Sequence, residues 1–303
     1  MALTEAQFIA LEGNIRKTWD AFFKSPQQKT FIDELYNVVT GDMAQFTDYT
    51  LGAPSRMKPW TGNVAYDTLE EGYSKQYRAK KYSTGIQIDK DLYEDREYTQ
   101  IKARVNNIAF GVYKTLIYHG VDIFNNAFST TNTGPDAAAL CSASHYTVPG
   151  VAAQTNTGVL DMSYANLETT LRAMEDWEDD KGDKMLIQGN LVIAAPYWRD
   201  TCKKLFGADK EAFVADNQPN VYKDFEFIIH PLINGKKWFV ANKEIMKGGS
   251  GLNCFMRKDP RNLERDGDAA KGDFNTEKLS WKAIGRYVMG WTNWFFIYGQ
   301  NAA

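Results

Sequence analysis

Cysteine and histidine are scarce, with three of each in 303 residues. Cys141, Cys202 and Cys254 are far apart and odd in number, and none belongs to a C-x-x-C pair. That spacing excludes a disulfide framework and a zinc ribbon. It leaves reduced, partly buried thiols, as expected of a protein kept in a reducing cytoplasm. His119, His145 and His230 stand alone, with no HExxH, HxH or Cys–His pattern around them. Neither a catalytic residue nor a metal ligand is expected among them. Charge of one sign is also lacking: 35 Lys+Arg against 38 Asp+Glu give a net charge of −3. Without a basic tail or stripe, a dedicated grip on nucleic acid is not indicated, although enclosing it is compatible. Met1–Leu11 lacks the basic and apolar regions of a signal peptide. The most apolar late run, Tyr287–Tyr298, is interrupted by Gly290, Thr292 and Asn293. It falls well short of the ~20 residues that cross a bilayer, so no membrane partner is expected. The phosphate-loop, dinucleotide and nucleophile-elbow motifs are missing, and Lys247-Gly248-Gly249-Ser250-Gly251 reads as a flexible turn. No cofactor is expected. No internal repeat and no low-complexity linker divides the chain.

What is present is an ordinary globular composition, 44% hydrophobic and 24% charged, with ample material for a core. The most informative stretch runs from about Trp60 to Phe128. Its first half reads as an extended, charged β-hairpin. In the return strand Tyr82, Thr84, Ile86 and Ile88 fall on one face and Ser83, Gly85, Gln87 and Asp89 on the other, the period-two pattern of a half-buried strand. Glu70, Glu71, Lys75, Arg78, Lys80 and Lys81 surround it. A lone two-stranded ribbon is marginal in water, so this one is expected to lean on a neighbouring subunit. The acidic patch Asp89, Asp91, Glu94, Asp95 and Glu97 then suits a helix start. From Tyr98 the apolar residues Ile101, Val105, Ile108, Val112 and Leu116 recur at helical spacing. Continued to Phe128, this helix would be roughly 45 Å long. Gly111 and Gly120 lie inside it as candidate points of bending.

Elsewhere, Thr4–Phe23 has helical spacing, with Phe8, Leu11, Ile15 and Trp19 on one side, and Gln27–Val39 suits a strand or a short helix. Ser129–Gly158 reads as a long loop. Asp161–Asp180 reads as a second amphipathic helix with Asp161 or Ser163 as N-cap and Leu167, Leu171, Met174 and Trp177 as its stripe. Leu191–Ala195 is a short strand, and Tyr197–Phe206 a helix stopped by Gly207. Val221–Ile229 and Lys237–Asn242 read as a hairpin turning at Asn234-Gly235. Arg261–Asn275 is charged loop, and Lys278–Tyr298 is strand-like and aromatic. Its Trp281, Tyr287, Trp291, Trp294, Phe295, Phe296 and Tyr298 have too few cations nearby for a base-stacking platform and read as core. The acidic run Glu175–Asp183 departs from the calcium-loop pattern and reads as a solvated helix end or an acidic inter-subunit surface. The mixed order of elements is α+β.

That order resembles the major capsid protein of tailed bacteriophages, the Hong Kong 97-type fold. Locally it is most similar to the Mu-like major head subunit group. The likeness lies in the hairpin entry Met57-Lys58-Pro59-Trp60-Thr61-Gly62 and in the run from Lys80-Lys81-Tyr82 to Leu92-Tyr93-Glu94-Asp95. It lies also in Cys141-Ser142-Ala143-Ser144-His145, although Ala138, Ala139, Leu140 and Cys141 replace the residues common before that histidine. The resemblance covers about Lys24 to Gly299 and rests on order and spacing, not on a diagnostic motif.

The resemblance implies four regions: an N-terminal arm (1–56), an extended hairpin loop (57–92), a peripheral domain with the spine helix (93–162 and 245–303) and an axial domain (163–244). It implies a shell of hexamers and pentamers around double-stranded DNA, assembled in the bacterial cytoplasm. The expected inter-subunit contacts are Lys75, Arg78, Lys80, Lys81, Tyr82, Thr84, Ile86 and Ile88, with Gly111 and Gly120 as flexing points. Some members of the fold join a hairpin lysine covalently to a neighbour's asparagine; simple charge pairing is the expectation here. No scaffold-like coiled coil precedes the hairpin, so a separate scaffolding protein is expected, together with portal and decoration proteins. Two other readings are an encapsulin-like nanocompartment shell and, from a different class, a soluble oligomeric enzyme.

Overall fold

The computed structural model describes residues 5–25, 28, 30–64, 66–67, 70–148, 152–207, 220–265 and 278–302. The chain opens with α1 (Glu5–Lys24), α2 (Phe31–Leu35), β1 (Asn37–Thr40), β2 (Gln45–Leu51), β3 (Glu71–Arg78) and β4 (Lys80–Asp89). There follow α3 (Lys90–Glu94), α4 (Tyr98–Asn125), β5 (Thr157–Gly158), α5 (Tyr164–Glu175), β6 (Leu191–Ala194) and α6 (Arg199–Phe206). The last third holds β7 (Glu226–Ile229), β8 (Lys236–Ala241), α7 (Lys243–Lys247), β9 (Leu252–Lys258), β10 (Leu263–Arg265), β11 (Lys278–Trp291) and β12 (Ile297–Ala302).

The apolar stripe of α4 makes it the spine. Ile101, Val105, Val112 and Leu116 are buried, with Ile108 packed beside them. At 28 residues α4 spans roughly 42 Å. Leu11, Ile15 and Trp19 bury one side of α1 in the same core; the Phe8 side chain lies outside the described residues. Gln27–Val39 yields both a helix and a strand: Thr30 caps α2 through a capping box with Asp33, and β1 follows. Ser163 is the N-cap of α5, accepting from the Asn166 amide at 3.2 Å.

Two five-stranded sheets share one hydrophobic core. In the first, β1, β9, β11 and β10 follow one another, and β4 also pairs with β11. In the second the order is β5-β12-β8-β6-β7. The hairpin expected over Val221–Ile229 and Lys237–Asn242 is therefore not formed: β6 lies between β7 and β8, and Leu191–Ala194 pairs with both. The fully apolar β6 is buried on both faces and can only be a central strand. β12 pairs along its length with β8. Most of Arg261–Asn275 lies outside the described residues. Trp281, Tyr287, Trp291, Trp294, Phe296 and Tyr298 are buried, as expected of core.

The third sheet is the two-stranded ribbon β2–β3, and here the expected hairpin is corrected. The strand Lys80–Asp89 alternates as expected, with Ile86 and Ile88 buried, but it is not the return strand of a free hairpin. It pairs antiparallel with β11 from Asp89–Lys278 to Lys80–Tyr287, inside its own chain. β3 turns the other way and pairs with β2, from Gln45–Arg78 to Leu51–Glu71. The ribbon outside the two five-stranded sheets is thus β2–β3, and the described residues between its strands are 52–64, 66–67 and 70. No helix among the described residues is long and apolar enough to cross a membrane.

Candidate assembly interface

The ribbon is anchored at its root by aromatic residues. Phe46 of β2 and Tyr77 of β3 stack on Phe255 of β9, with ring centroids 5.1 and 5.3 Å apart. The Tyr77 hydroxyl donates to the Trp291 carbonyl oxygen at 2.7 Å. A polar network joins the same place. The Thr292 hydroxyl donates to the Asp48 carboxylate, and Asn253 Nδ2 donates to Thr292 Oγ1 at 2.7 Å and to the Gly249 carbonyl at 2.8 Å. Burial pushes the Asp48 carboxyl above its usual range, and its hydrogen bonds only partly offset this. Lys75 donates to the Thr133 carbonyl and lies over the Tyr77 and Trp291 rings.

The far end of the ribbon is held differently. Asp179 shapes a tight turn after α5, accepting from the amides of Lys181 (2.8 Å) and Asp183 (2.9 Å). That turn grips loop 52–70. The Ala53 amide donates to Asp180 Oδ1 at 2.7 Å, and Arg56 Nε donates to Asp183 Oδ2 at 2.7 Å. Lys181 Nζ donates to Ser55 Oγ at 2.8 Å and to Asp67 Oδ1 at 3.1 Å. The Ser55 amide and hydroxyl, followed by the Lys181 ammonium, hold the Asp67 carboxyl down at about 2. Between root and latch a cleft of about 660 Å³ runs under the ribbon, walled by Thr50, Tyr73, Asp136, Lys184, Ile187 and Trp294 among others. On the loop itself Met57, Trp60, Val64 and Tyr66 are 100, 72, 61 and 92% exposed. These four large apolar side chains of one loop are left in solvent.

Of the residues expected at the interface, Arg78, Lys80 and Lys81 are exposed where β3 gives way to β4. Lys75 is half-buried and engaged within its own chain. Tyr82 and Thr84 are half-buried, Tyr82 against His119 and Tyr287. Ile86 and Ile88 are spent in the chain's own core. Nothing in the sequence pointed to the latch, whose partners Arg56 and Asp183 are 127 positions apart. The acidic run Glu175–Asp183 reads as a solvated helix end from sequence; in the structure Asp180 and Asp183 are the residues that hold the loop.

The spine glycines differ. A Cβ on Gly111 would meet nothing within 4 Å, and the residue borders a cleft of about 550 Å³ shared with Tyr82, Thr84, Thr115 and Pro260. Thr115 Oγ1 donates back to the Gly111 carbonyl at 2.8 Å, a bond that bends helices slightly. Gly120 instead packs on Ile32, and its carbonyl accepts from the Tyr36 hydroxyl at 2.6 Å.

His145 is fully buried, with Nδ1 2.5 Å from Asp136 Oδ2 and its ring stacked on Trp294. His119 and His230 lose basicity through burial. The three cysteines are free and buried, which pushes the Cys202 and Cys254 thiols up to about 12. Among the described residues no three His, Cys, Asp or Glu side chains are grouped to hold a metal. Lys247–Gly251 forms an ordered turn, with the Gly249, Ser250 and Gly251 carbonyls accepting from Asn253, Asn293 and Thr292.

Solved structures share this fold at low identity. The procapsid protein of bacteriophage JBD30 superposes with a TM-score of 0.56 at 12% identity, over 99% of this chain and 77% of that one. The capsid of the same phage gives 0.53 at 12%, over 70% and 94%. A virus-like particle from Pyrococcus furiosus gives 0.51 at 10%, over 94% and 97%. No curated protein matches the sequence. The family model for phage capsid proteins matches residues 71–299, from the start of β3 into β12. The α+β architecture is the Hong Kong 97-type fold, and the chain belongs to the phage capsid protein family.

Proposed function

We propose that many copies of this chain assemble non-covalently into an icosahedral head shell of hexamers and pentamers enclosing double-stranded DNA. The observation that carries this reading is the ribbon β2–β3, whose loop projects Met57, Trp60, Val64 and Tyr66 into solvent. A neighbouring copy is the partner that would cover them. Arg78, Lys80 and Lys81 add exposed charge at the base of the ribbon for pairing with that neighbour. Tyr82 and Thr84 border this surface, while Lys75, Ile86 and Ile88 brace it from within the subunit. Closed rings repeat one weak contact many times, so the shell is strong though each contact is modest.

In this account region 163–244 gathers at the capsomer axes, regions 93–162 and 245–303 form the periphery, and 1–56 is the arm. The second sheet joins region 163–244 to the periphery, because β12 pairs with β8. Gly111, beside its open cleft, is the place where the spine helix bends as the shell matures. The DNA is enclosed without sequence-specific contacts. A separate scaffolding protein directs assembly in the host cytoplasm, with portal and decoration proteins completing the virion. The run Lys80–Asp95 supports a place near the Mu-like group.

A virus-like particle from Pyrococcus furiosus has the same fold, so the second reading is a compartment shell that encloses cargo in place of a genome. Particles purified from lysed host cells, treated with nuclease and then opened, separate the two. The head-shell reading expects protected double-stranded DNA; shells holding cargo protein and no DNA would replace it.

A further inference from the structure

His119 of the spine helix α4 is joined to the first sheet by aromatic contacts on two strands. Its Nδ1 lies 2.8 Å from the Tyr287 hydroxyl of β11. Its ring packs on Tyr82 of β4 with centroids 4.7 Å apart and on Tyr287 at 5.7 Å, and the two tyrosine rings meet at 5.0 Å. These three side chains stand between two clefts. One, of about 550 Å³, opens toward Gly111 and Thr115; the other, of about 410 Å³, opens toward Asp122 and Asn126. Tyr82 and Tyr287 wall both. Helix and sheet leave space unfilled on either side, so the cluster is a local post between them.

The hydrogen bond in that post depends on a proton. Burial raises the Tyr287 phenol above its ordinary value, and Tyr82, Cys254 and Asp259 add to the rise. Its O–H is therefore present to donate, and Nδ1 accepts it only while the imidazole is neutral. A proton on Nδ1 sets donor against donor, and the hydroxyl must turn its hydrogen away. The surroundings also disfavour the charged ring. Burial is the largest influence and lowers the basicity of His119. Asp122, one turn further along α4, acts the other way, but it is exposed and already accepts from Asn126 Nδ2 at 2.8 Å. Lys80 of β4 adds a like charge.

We propose that His119 is a pH-sensitive clasp: neutral, it holds the spine helix to β4 and β11 through Tyr82 and Tyr287; protonated, it releases that hold. Folding favours the neutral ring, so the contribution of the clasp is full above the ordinary histidine range and declines as pH falls through about 6.5. The two clefts give the released segment room to shift.

The purified full-length chain tests this by amide hydrogen exchange across 116–122, corrected for its intrinsic pH dependence. In the wild type, exchange should be about tenfold faster at about pH 5 than at about pH 7.5. In His119→Gln, which cannot take the charge, the two rates should agree to within about twofold. His230, whose basicity burial also lowers, is intact in that variant, so the comparison isolates His119. Ring resonances read the same proton directly. The His119 midpoint should lie below about 6.5 in the wild type and rise in Tyr287→Phe, which loses the donor to the neutral ring and keeps the stack. An equal pH response in wild type and His119→Gln would overturn the clasp. So would a wild-type His119 midpoint at or above the ordinary value, or one that Tyr287→Phe leaves unmoved.

Discussion

Gly120 of the spine helix lies so close to Ile32 of α2 that a Cβ on the glycine would stand 3.1 Å from Ile32 Cγ1. About two and a half turns earlier on the same helix, Gly111 faces open space. Replacing a mid-helix glycine with alanine gains about 1 kcal/mol of helix propensity where nothing obstructs it. Gly111→Ala should therefore raise unfolding stability by about 0.5–1 kcal/mol. Gly120→Ala sets the same gain against overpacking of roughly 1–3 kcal/mol and strain at the Tyr36–Gly120 hydrogen bond, so it should destabilise. Denaturant midpoints of the two variants check this. If the spine bends at Gly111, the first variant should also slow expansion of assembled shells, measured by light scattering.

Helix α4 was legible because a stripe at helical spacing has one interpretation, and Tyr98 as its start follows from the acidic run before it. The ribbon was not. Alternation in Tyr82–Ile88 says that one face is covered, without saying by what. The covering strand β11 is nearly two hundred positions away, and its pairing is visible only in three dimensions. The actual ribbon is less regular in sequence, and its loop carries no alternation. The same distance hid the order of β6, β7 and β8, where a good turn at Asn234-Gly235 suggested a local hairpin that a central strand displaces.

Tyr77 should be the residue that seats the ribbon. Tyr77→Phe keeps the stack on Phe255 and loses the hydrogen bond to Trp291, costing about 1 kcal/mol. Gly290→Ala is more severe, since its Cβ would stand 2.2 Å from Tyr77 Cε1 and would displace the ring. We expect a loss of about 2 kcal/mol or more for that variant. Hydrogen exchange in β2 and β3 should rise in both, and more in Gly290→Ala.

Asp48 links the ribbon to pH. Burial raises its pKa in the folded chain, so folding favours the neutral acid. Its contribution to stability is fullest below the ordinary aspartate range and declines as pH rises through the raised value. Asp48→Asn keeps an acceptor for Thr292 and removes that decline. The variant should match or exceed the wild type in stability at neutral pH and remove the decline that sets in as pH rises above the ordinary aspartate value. A steeper slope in the variant would count against this placement of Asp48.

Asp67 works in the opposite sense. Its carboxyl is held near 2 in the closed loop, so its contribution is present above the ordinary aspartate value and lost as pH falls toward 2. The loop should remain closed at pH 5 and open between about pH 4 and 2. Exchange of the Ala53 amide, corrected for its intrinsic pH dependence, reads this directly. Asp67→Asn should abolish the acid-dependent opening.

The central claim is that this chain builds shells by covering the ribbon loop of one copy with another. Negative-stain electron microscopy of the purified chain, at high concentration and with a scaffolding partner supplied, tests it most directly. Closed particles of uniform diameter are predicted, replaced by unassembled subunits when Met57, Trp60 and Tyr66 are changed together to serine. Monomers or dimers alone from the wild type, under every assembly condition, would contradict it.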